Sequence, residues 1–429
     1  MKPLEIVMFN MSSFSEWQKG VVNRNFHIFH GLAQRPEVKR IIAVDFLPFT
    51  FRRALRNFWE NFIIPLNKLS KGKIVYRDLT TKCVKISGFG TAEIYIFSTI
   101  DSFFSHQRVV NKLNKILEKI NRVTEQPSNP AGGDARQGRR ATRIVWSYFP
   151  MFIEYFGRIT ADLTVFDAVD NWIEHPSYVR YKNLLENNYK IIAQKSDIIF
   201  TVAESLVDFF KSLGREKDTY WVANGVEPEH FAETPPLPKN DPILGIPRPI
   251  VGYIGTIQNR IDINLLEYLA QKNPNKSFVL IGPLWPVFLR KLRRPAIEIK
   301  KLKKYKNIYL LGRRPYASTP AYIKTFDVAI IPHKLDKFIK YTYSLKVLEY
   351  LACGVPIVTT PPSGVERFSH LIHIAQDYQD FSHKIDLALT NDTIELKRKR
   401  IEQVKEEDWR LKIEEITKVV SAKLNTSKL

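Results

Sequence analysis

Lys346 and Glu349 interrupt an otherwise apolar stretch, "YSLKVLEYLACGVPIVTT", at a spacing that puts both on one face of a helix. Two chemistries fit the pair. One is an i,i+3 ion pair on a solvated surface, worth roughly a few tenths of a kcal/mol. The other is a nucleotide site, in which the helix start and Lys346 meet a phosphate while Glu349 accepts hydrogen bonds from a ribose diol. Ser344 can cap this helix, and Leu345, Leu348 and Ala352 supply a buried stripe. Gly354 suits the left-handed position that follows, and Pro356 blocks continuation.

Other chemistry-bearing residues say less. His27 with His30, and His370 with His373, are each three apart but lack a clear third ligand, so packing or surface titration is expected of them. There is no Asp-x-Asp to hold a diphosphate through a metal. Cys83 and Cys353 form no Cys-x-x-Cys, which argues against a disulfide framework and a thiolate zinc site and fits a reducing cytosol. Gly20, in "KGVVNRNF", reads either as a close backbone approach to a ligand at the first helix or as a loop glycine.

The elements that must position these residues alternate. Strand-like runs ("LEIVMF", "IIAVDF", "AEIYIFS", "RIVWSYF", "LTVFDAV", "DIIFTVA", "TYWVANGV") are separated by longer helical stretches, which predicts a parallel sheet wrapped by helices. The prolines between Glu233 and Ile250 break the pattern, and it resumes with "IVGYIGTI", "SFVLIG", "NIYLLG", "DVAIIP" and "VPIVTT". With 429 residues and 44% apolar composition, the chain is long enough for two cores. The expected division is a first doubly wound α/β domain over 1–240 and a second over 241–402, with a helix over 403–425 packing back on the first. The polar, glycine- and proline-rich "TEQPSNPAGGDARQGRR" reads as a surface excursion. Two such domains would face each other across a cleft at the carboxyl ends of their strands.

The formal net charge of +21 calls for a reason. Basic residues concentrate in "FRRALRNFWENFIIPLNKLSKGK", "LRKLRRPAIEIKKLKKYK" and "LKRKR". The first segment reads as a solvated charged face or as a basic amphipathic helix on an anionic membrane surface. A nucleic-acid partner is the weakest reading, because no zinc finger, RNP sequence or GXXG loop accompanies the charge. No apolar run of about 18 residues occurs, and the N-terminus lacks the features of a signal peptide. A cytoplasmic protein, peripheral on the inner face of the membrane, is the expectation.

The motifs, taken in order, resemble family 4 glycosyltransferases, retaining enzymes of the GT-B fold that use nucleotide-sugar donors. "SLKVLEYLACGVPIVTT" is similar to the signature helix, "VANGVEPEHF" to the segment ending the first domain, and "VGYIGTIQNRIDINLLEYLA" to the first strand, loop and helix of the second. "NIYLLGRRPYASTPAYIKTFDVAIIP" and "EEDWRLKIEEI" also match. The likeness runs from Ile198 to about Ile416 and is weak before that. "VFDAVDNW" beside the signature helix resembles a subgroup that includes teichuronic-acid-type polysaccharide glycosyltransferases.

The resemblance implies nucleotide-sugar binding by Gly255, Thr256, Arg260, Ser344, Lys346 and Glu349, with Arg260 and Lys346 stabilising the departing diphosphate. It makes Asp170 a catalytic candidate that orients the acceptor hydroxyl, with an Asp capping the next turn as the equal alternative, and Asp167 and His175 weaker candidates nearby; Gly20, if it approaches a ligand, belongs to the same acceptor side. No cofactor and metal independence are expected with the resemblance, and the basic and aromatic residues between Phe51 and Lys73 suit docking at a membrane that carries a glycan or lipid-linked acceptor. The chain departs from the family at Tyr341, where a second glutamate is usual, at Thr256, where a basic residue is usual, and at Val169, where a histidine is usual. A sugar-nucleotide epimerase and a catalytically silent binding protein are the alternatives to a transferase.

Overall fold

The computed structural model describes residues 2–59, 72–124, 141–233, 236–284, 297–335, 337–361, 364 and 366–426. Residues 60–71 of the first basic segment, 125–140 of the glycine-rich excursion and 285–296 of the second basic segment lie outside the described residues. The chain divides into two compact units. The first comprises Met1–Thr201, Leu206–Val222 and Ile413–Leu429, and the second Val202–Ser205 and Ala223–Lys412.

The first unit carries strands β1 (Leu4–Phe9), β2 (Val38–Val44), β3 (Lys73–Arg77), β4 (Thr81–Ile86), β5 (Glu93–Thr99), β6 (Thr142–Ser147), β7 (Leu163–Ala168), β8 (Ile198–Thr201) and β9 (Thr219–Trp221). Their order is β3-β4-β5-β2-β1-β6-β7-β8-β9. From β5 to β9 every pairing is parallel. The central strands are buried almost throughout, as in parallel sheets covered on both faces, which is why their sequences are runs of Val, Ile, Leu and Phe. The antiparallel β3–β4 hairpin adds to the expected strands. Its turn is built by Asp78, whose Oδ1 accepts from the Thr80 and Thr81 amides, both at 2.8 Å.

The helix Arg24–Ala33 starts at Asn23, whose side chain accepts from the Phe26 amide at 3.1 Å. Its first residue, Arg24, is buried and donates through Nε to Asp167 Oδ1 at 2.8 Å and through Nη1 to the Val222 carbonyl at 2.8 Å. Asp167 on β7, expected as a weak acceptor-side candidate, is therefore a buried structural anion: it fastens this helix to the sheet.

The second unit carries β10 (Ile250–Ile254), β11 (Ser277–Ile281), β12 (Ile308–Gly312), β13 (Val328–Ile331), β14 (Ile357–Thr359) and β15 (His373–Ile374). All are parallel, in the order β12-β11-β10-β13-β14-β15. One core face joins Val251, Leu266, Leu269, Phe278, Leu280 and Ile330 with Phe381 and Ile385. Burying side chains of this kind stabilises by roughly 1.5–3 kcal/mol each.

The units part at Val222/Ala223 rather than at residue 240. The reason is backbone pairing: the Val226 amide donates to Glu407 O at 2.8 Å, and the Trp409 amide donates to Val226 O at 3.0 Å. That pairing binds 223–233 to the second unit, so the proline-rich stretch lies inside that unit. The last helix, Trp409–Thr426, changes unit after Lys412. Ile413 packs so closely on Gly31 of the first unit that no β-carbon would fit there.

Candidate functional site

The sheet of the second unit changes direction between β10 and β13, the place where open α/β sheets bind ligands beyond the carboxyl ends of their strands. A cavity of about 170 Å³ lies there, lined by Arg260, His333, Ser344, Lys346, Thr359 and Thr360 among others. Of the described residues lining it, none is a carboxylate.

Arg260 is held by a closed loop. β10 ends at Gly255, whose φ of +149° only glycine adopts readily and whose amide donates to Ile281 O at 2.8 Å. Gly282, at the end of β11, sits so close to the Gly255 carbonyl that any side chain there would collide with it. The loop then turns through an Ile261 amide bond to Gln258 O at 2.9 Å. It is tied to the segment after β13 by Asp262 N to Pro332 O and Lys334 N to Arg260 O, both 2.8 Å. With its amide oxygen turned toward the arginine, Gln258 accepts from Arg260 Nε at 2.8 Å. Asp262 caps the following helix, Ile263–Lys272, by accepting from Asn264 N and Leu265 N at 3.1 Å.

Lys346 is presented by the helix Leu345–Ala352. Val347, Leu348, Tyr350 and Leu351 are buried, and Tyr350 Oη accepts from the Ile254 amide at 3.0 Å, pinning the helix to the end of β10. Losing Leu348 to alanine would cost about 2–5 kcal/mol. The helix ends as expected, with Gly354 at φ +70° and the Val355 amide returning to Tyr350 O at 3.2 Å. Two details differ from expectation. The Ser344 side chain makes no capping bond and instead lines the cavity, as does Leu345. The first turn of the helix thus faces the recess.

Electrostatics follow from burial. It pushes the Lys346 ammonium below its usual range; Glu349 opposes this and the Arg260 charge reinforces it. Burial raises the Glu349 carboxyl; Lys346 opposes this and Glu227 adds to it. His333 is held well below its usual value by burial, then by Arg260 and Lys346, so it is neutral at physiological pH. The surface ion-pair reading of Lys346 and Glu349 fails, because neither side chain is exposed. Two cations in a low-dielectric recess at a helix start have the chemistry to hold a dianionic group.

Glu349 lies one turn beyond Lys346, beside Glu227, whose Oε2 accepts from Tyr316 Oη at 3.1 Å. Thr256 offers its carbonyl to Tyr253 Oη at 3.3 Å. Tyr341 closes the short turn Ile339–Tyr341 before the helix. In the first unit, Asp170 lies just beyond the carboxyl end of β7, where its carbonyl accepts from Tyr189 Oη at 2.8 Å. His175 caps the turn Pro176–Tyr181 by accepting from Ser177 N at 3.1 Å. Gly20, at φ +81°, closes the helix Phe14–Gln18 with its amide on Trp17 O at 2.8 Å; it ends one helix rather than opening the next. Sequence reasoning missed His333, Thr359 and Thr360. All three lie at or just past strand ends in "AIIPH" and "PIVTT", so the carboxyl-end rule applied to β13 and β14 would have found them.

Two doubly wound α/β units, one with a cation-lined recess at its switch point, define the GT-B class of fold. Comparison with known proteins agrees. Residues 248–391 match the family Glycosyl transferases group 1. A Bacillus subtilis (strain 168) protein provisionally named teichuronic acid biosynthesis glycosyltransferase TuaH is 25% identical over 400 residues, covering 90% of this chain and 88% of its own. Anabaena Alr3699/HepE, solved in complex with UDP and glucose, superposes with a TM-score of 0.59 at 13% identity, covering 98% of this chain and 100% of its own. An α,α-trehalose-phosphate synthase (UDP-forming) from Burkholderia vietnamiensis gives 0.62 at 12% identity, covering 99% of both chains. Among the described residues no helix is long and apolar enough to cross a membrane. No group of three or more His, Cys, Asp or Glu among them is placed to hold a metal.

Proposed function

We propose that the chain is a retaining glycosyltransferase of family 4 type that moves a hexosyl group from a nucleotide-sugar donor to a glycan or lipid-linked acceptor of a cell-surface polysaccharide. The observation that carries this is the convergence of Arg260, Lys346 and the start of the Leu345–Ala352 helix on one cavity at the β10/β13 switch point. A nucleoside diphosphate is already a good leaving group. The protein's task is to hold it, offset charge as the glycosidic bond breaks and orient the acceptor. In this reading Arg260 and Lys346 take the diphosphate without a metal ion, Gly255 and Thr256 shape the loop beside it, Ser344 contributes at the helix start, and Glu349 takes the ribose diol. Asp170 orients the acceptor hydroxyl, and Gly20 shapes the backbone of the same unit. The UDP in the HepE structure and the name of the Bacillus relative support a nucleotide-sugar donor and a polysaccharide product. On this reading the enzyme works in the cytoplasm, peripheral on the inner face of the membrane.

One observation favours the silent-relative reading: Tyr341 stands where the resemblance leads one to expect a carboxylate for the donor sugar. A thermal-shift screen with UDP, GDP, ADP and their sugar conjugates separates the readings. A shift for one nucleotide family with turnover of its sugar conjugate supports transfer. A shift without turnover supports a binding protein, and no shift at millimolar ligand sinks both.

A further inference from the structure

The helix Phe51–Phe58 is amphipathic in the wrong sense. Two of its three arginines turn inward while Arg52 is exposed: Arg56 Nη2 lies 2.9 Å and Arg53 Nη2 3.6 Å from the Glu16 carboxylate, and the Arg53 guanidinium sits 4.4 Å above the Phe46 ring. Its outer face carries Phe51, Leu55 and, just past the helix, Trp59, spaced every four residues, with Phe51 66% exposed. A surface helix normally shows polar residues there. The apolar surface continues from the Phe51 ring to Phe103 at 6.0 Å and from Phe103 to Phe104 at 5.3 Å, and Phe104 is 60% exposed.

Beside this patch, beyond the carboxyl ends of β2, β5 and β6, a cavity of about 240 Å³ is lined by Pro48, Phe49, Phe152, Tyr155, Tyr181 and Leu184 among others. Four polar side chains in its wall are already paired. Ser102 Oγ donates to Pro48 O at 2.8 Å, Asn188 Nδ2 donates to Pro150 O at 3.2 Å, and His106 Nδ1 bonds Tyr155 Oη at 2.8 Å. His106 Nε2 also lies 3.5 Å from Glu154. A sugar would find these hydrogen-bonding groups occupied, whereas a hydrocarbon chain needs none of them. On the side of the rim formed by Tyr181 and Leu184, Leu184 and Val179 are exposed, as are the cations Arg180 and Lys182 next to Tyr181 in sequence. The Arg180 guanidinium stacks 4.8 Å from the Tyr181 ring.

We infer that this cavity takes the hydrocarbon chain of an anionic lipid, while Phe51, Leu55, Trp59, Phe103 and Phe104 lie in the membrane interface and the rim cations face its phosphate. Exposed aromatic and aliphatic side chains next to arginine and lysine match the two layers of such an interface, apolar chains beneath anionic headgroups. On the described part of that segment the exposed face carries Phe51 and Leu55 together with Arg52, so apolar side chains and a cation are presented side by side. The inference rests on the glycosyltransferase reading only for its purpose, which is delivery of a lipid-linked acceptor.

The test uses the full chain without nucleotide. In flotation with phosphatidylcholine vesicles, adding phosphatidylglycerol should raise the bound fraction of wild type about tenfold. The double variant Phe51→Ser/Leu55→Ser should lose that binding while keeping its melting temperature and its nucleotide-induced shift. Farnesyl phosphate below its micelle concentration should raise the wild-type melting temperature, inorganic phosphate should not, and Leu184→Glu should abolish the farnesyl phosphate effect. Unchanged flotation of the double variant, or equal shifts with inorganic and farnesyl phosphate, overturns the inference. So does sedimentation of wild type as a dimer and of the double variant as a monomer, which would make the patch a self-association face. If UDP sugars leave wild type unmoved while it still floats with anionic vesicles, the transferase reading falls and the lipid site stands.

Discussion

Gly255 and Lys346 occupy each other's space: a β-carbon on Gly255 would fall on the end of the lysine side chain. The ammonium also lies 5.6 Å from the centre of the Tyr253 ring. A backbone position without a side chain is what lets the cation reach the floor of the cavity.

Two alanine substitutions should therefore behave differently. Gly255→Ala meets the far end of a flexible side chain, so it should displace Lys346 and weaken nucleotide binding about tenfold or more, with roughly 1–3 kcal/mol of strain from its positive φ. Gly282→Ala meets the Gly255 carbonyl, which cannot step aside, and should lose more stability than Gly255→Ala. Urea denaturation and nucleotide titration of both variants check the order.

His333 makes stability depend on pH. Its native pKa is lowered, so between that value and the unfolded value of about 6.5 the unfolded chain binds the extra proton. Stability should fall as pH drops through that window, by at most about 1.4 kcal/mol per pH unit for this group. His373, lowered by burial and then by Lys384 and Arg400, acts in the same direction; Glu349, raised, acts in the opposite one. Both cancel when wild type is compared with His333→Gln, which should lose less stability between pH 7.5 and 5.5. An equal loss in the two proteins would remove His333 from the explanation.

The Arg24–Asp167 pair is buried at both ends. Arg24→Ala leaves the carboxylate with its largest compensation removed and should cost about 3–5 kcal/mol, whereas the apolar double replacement Arg24→Met/Asp167→Leu should cost much less. Chemical denaturation of the two variants tests this without reference to any ligand.

Tyr341 offers a gain-of-function test. If a carboxylate before the helix contacts the donor sugar, Tyr341→Glu should raise turnover or donor affinity, while leaving UDP affinity unchanged because UDP lacks the transferred hexosyl group. A drop in sugar-nucleotide affinity would show that the tyrosine already serves this chain's own donor.

The parallel strands of both sheets are legible in the sequence because strands buried on both faces read as unbroken apolar runs, and β1, β6 and β10 fall inside such runs. The β3 strand is not legible. It lies at an exposed sheet edge, alternates with Lys73 and Arg77, and sits at the end of a basic stretch that reads as helix. Lys346 and Arg260 are visible from their motifs. The roles of Asp167 and Gly20 are not, since an ion pair to Arg24, far away in sequence, and a helix end at Trp17 exist only once the chain has folded. Boundaries mislead for a similar reason: prolines mark where regular structure stops, whereas the unit division is set by the pairing of Val226 with Glu407 and Trp409.

The most direct test of the central claim is calorimetric titration of UDP into wild type, Arg260→Ala and Lys346→Ala. The two cations lining the cavity should make wild type bind, and each substitution should raise Kd by about tenfold or more, consistent with charge-assisted bonds of roughly 1.5–3 kcal/mol. UDP affinity unchanged by either substitution would contradict the placement of a nucleoside diphosphate at the β10/β13 switch point.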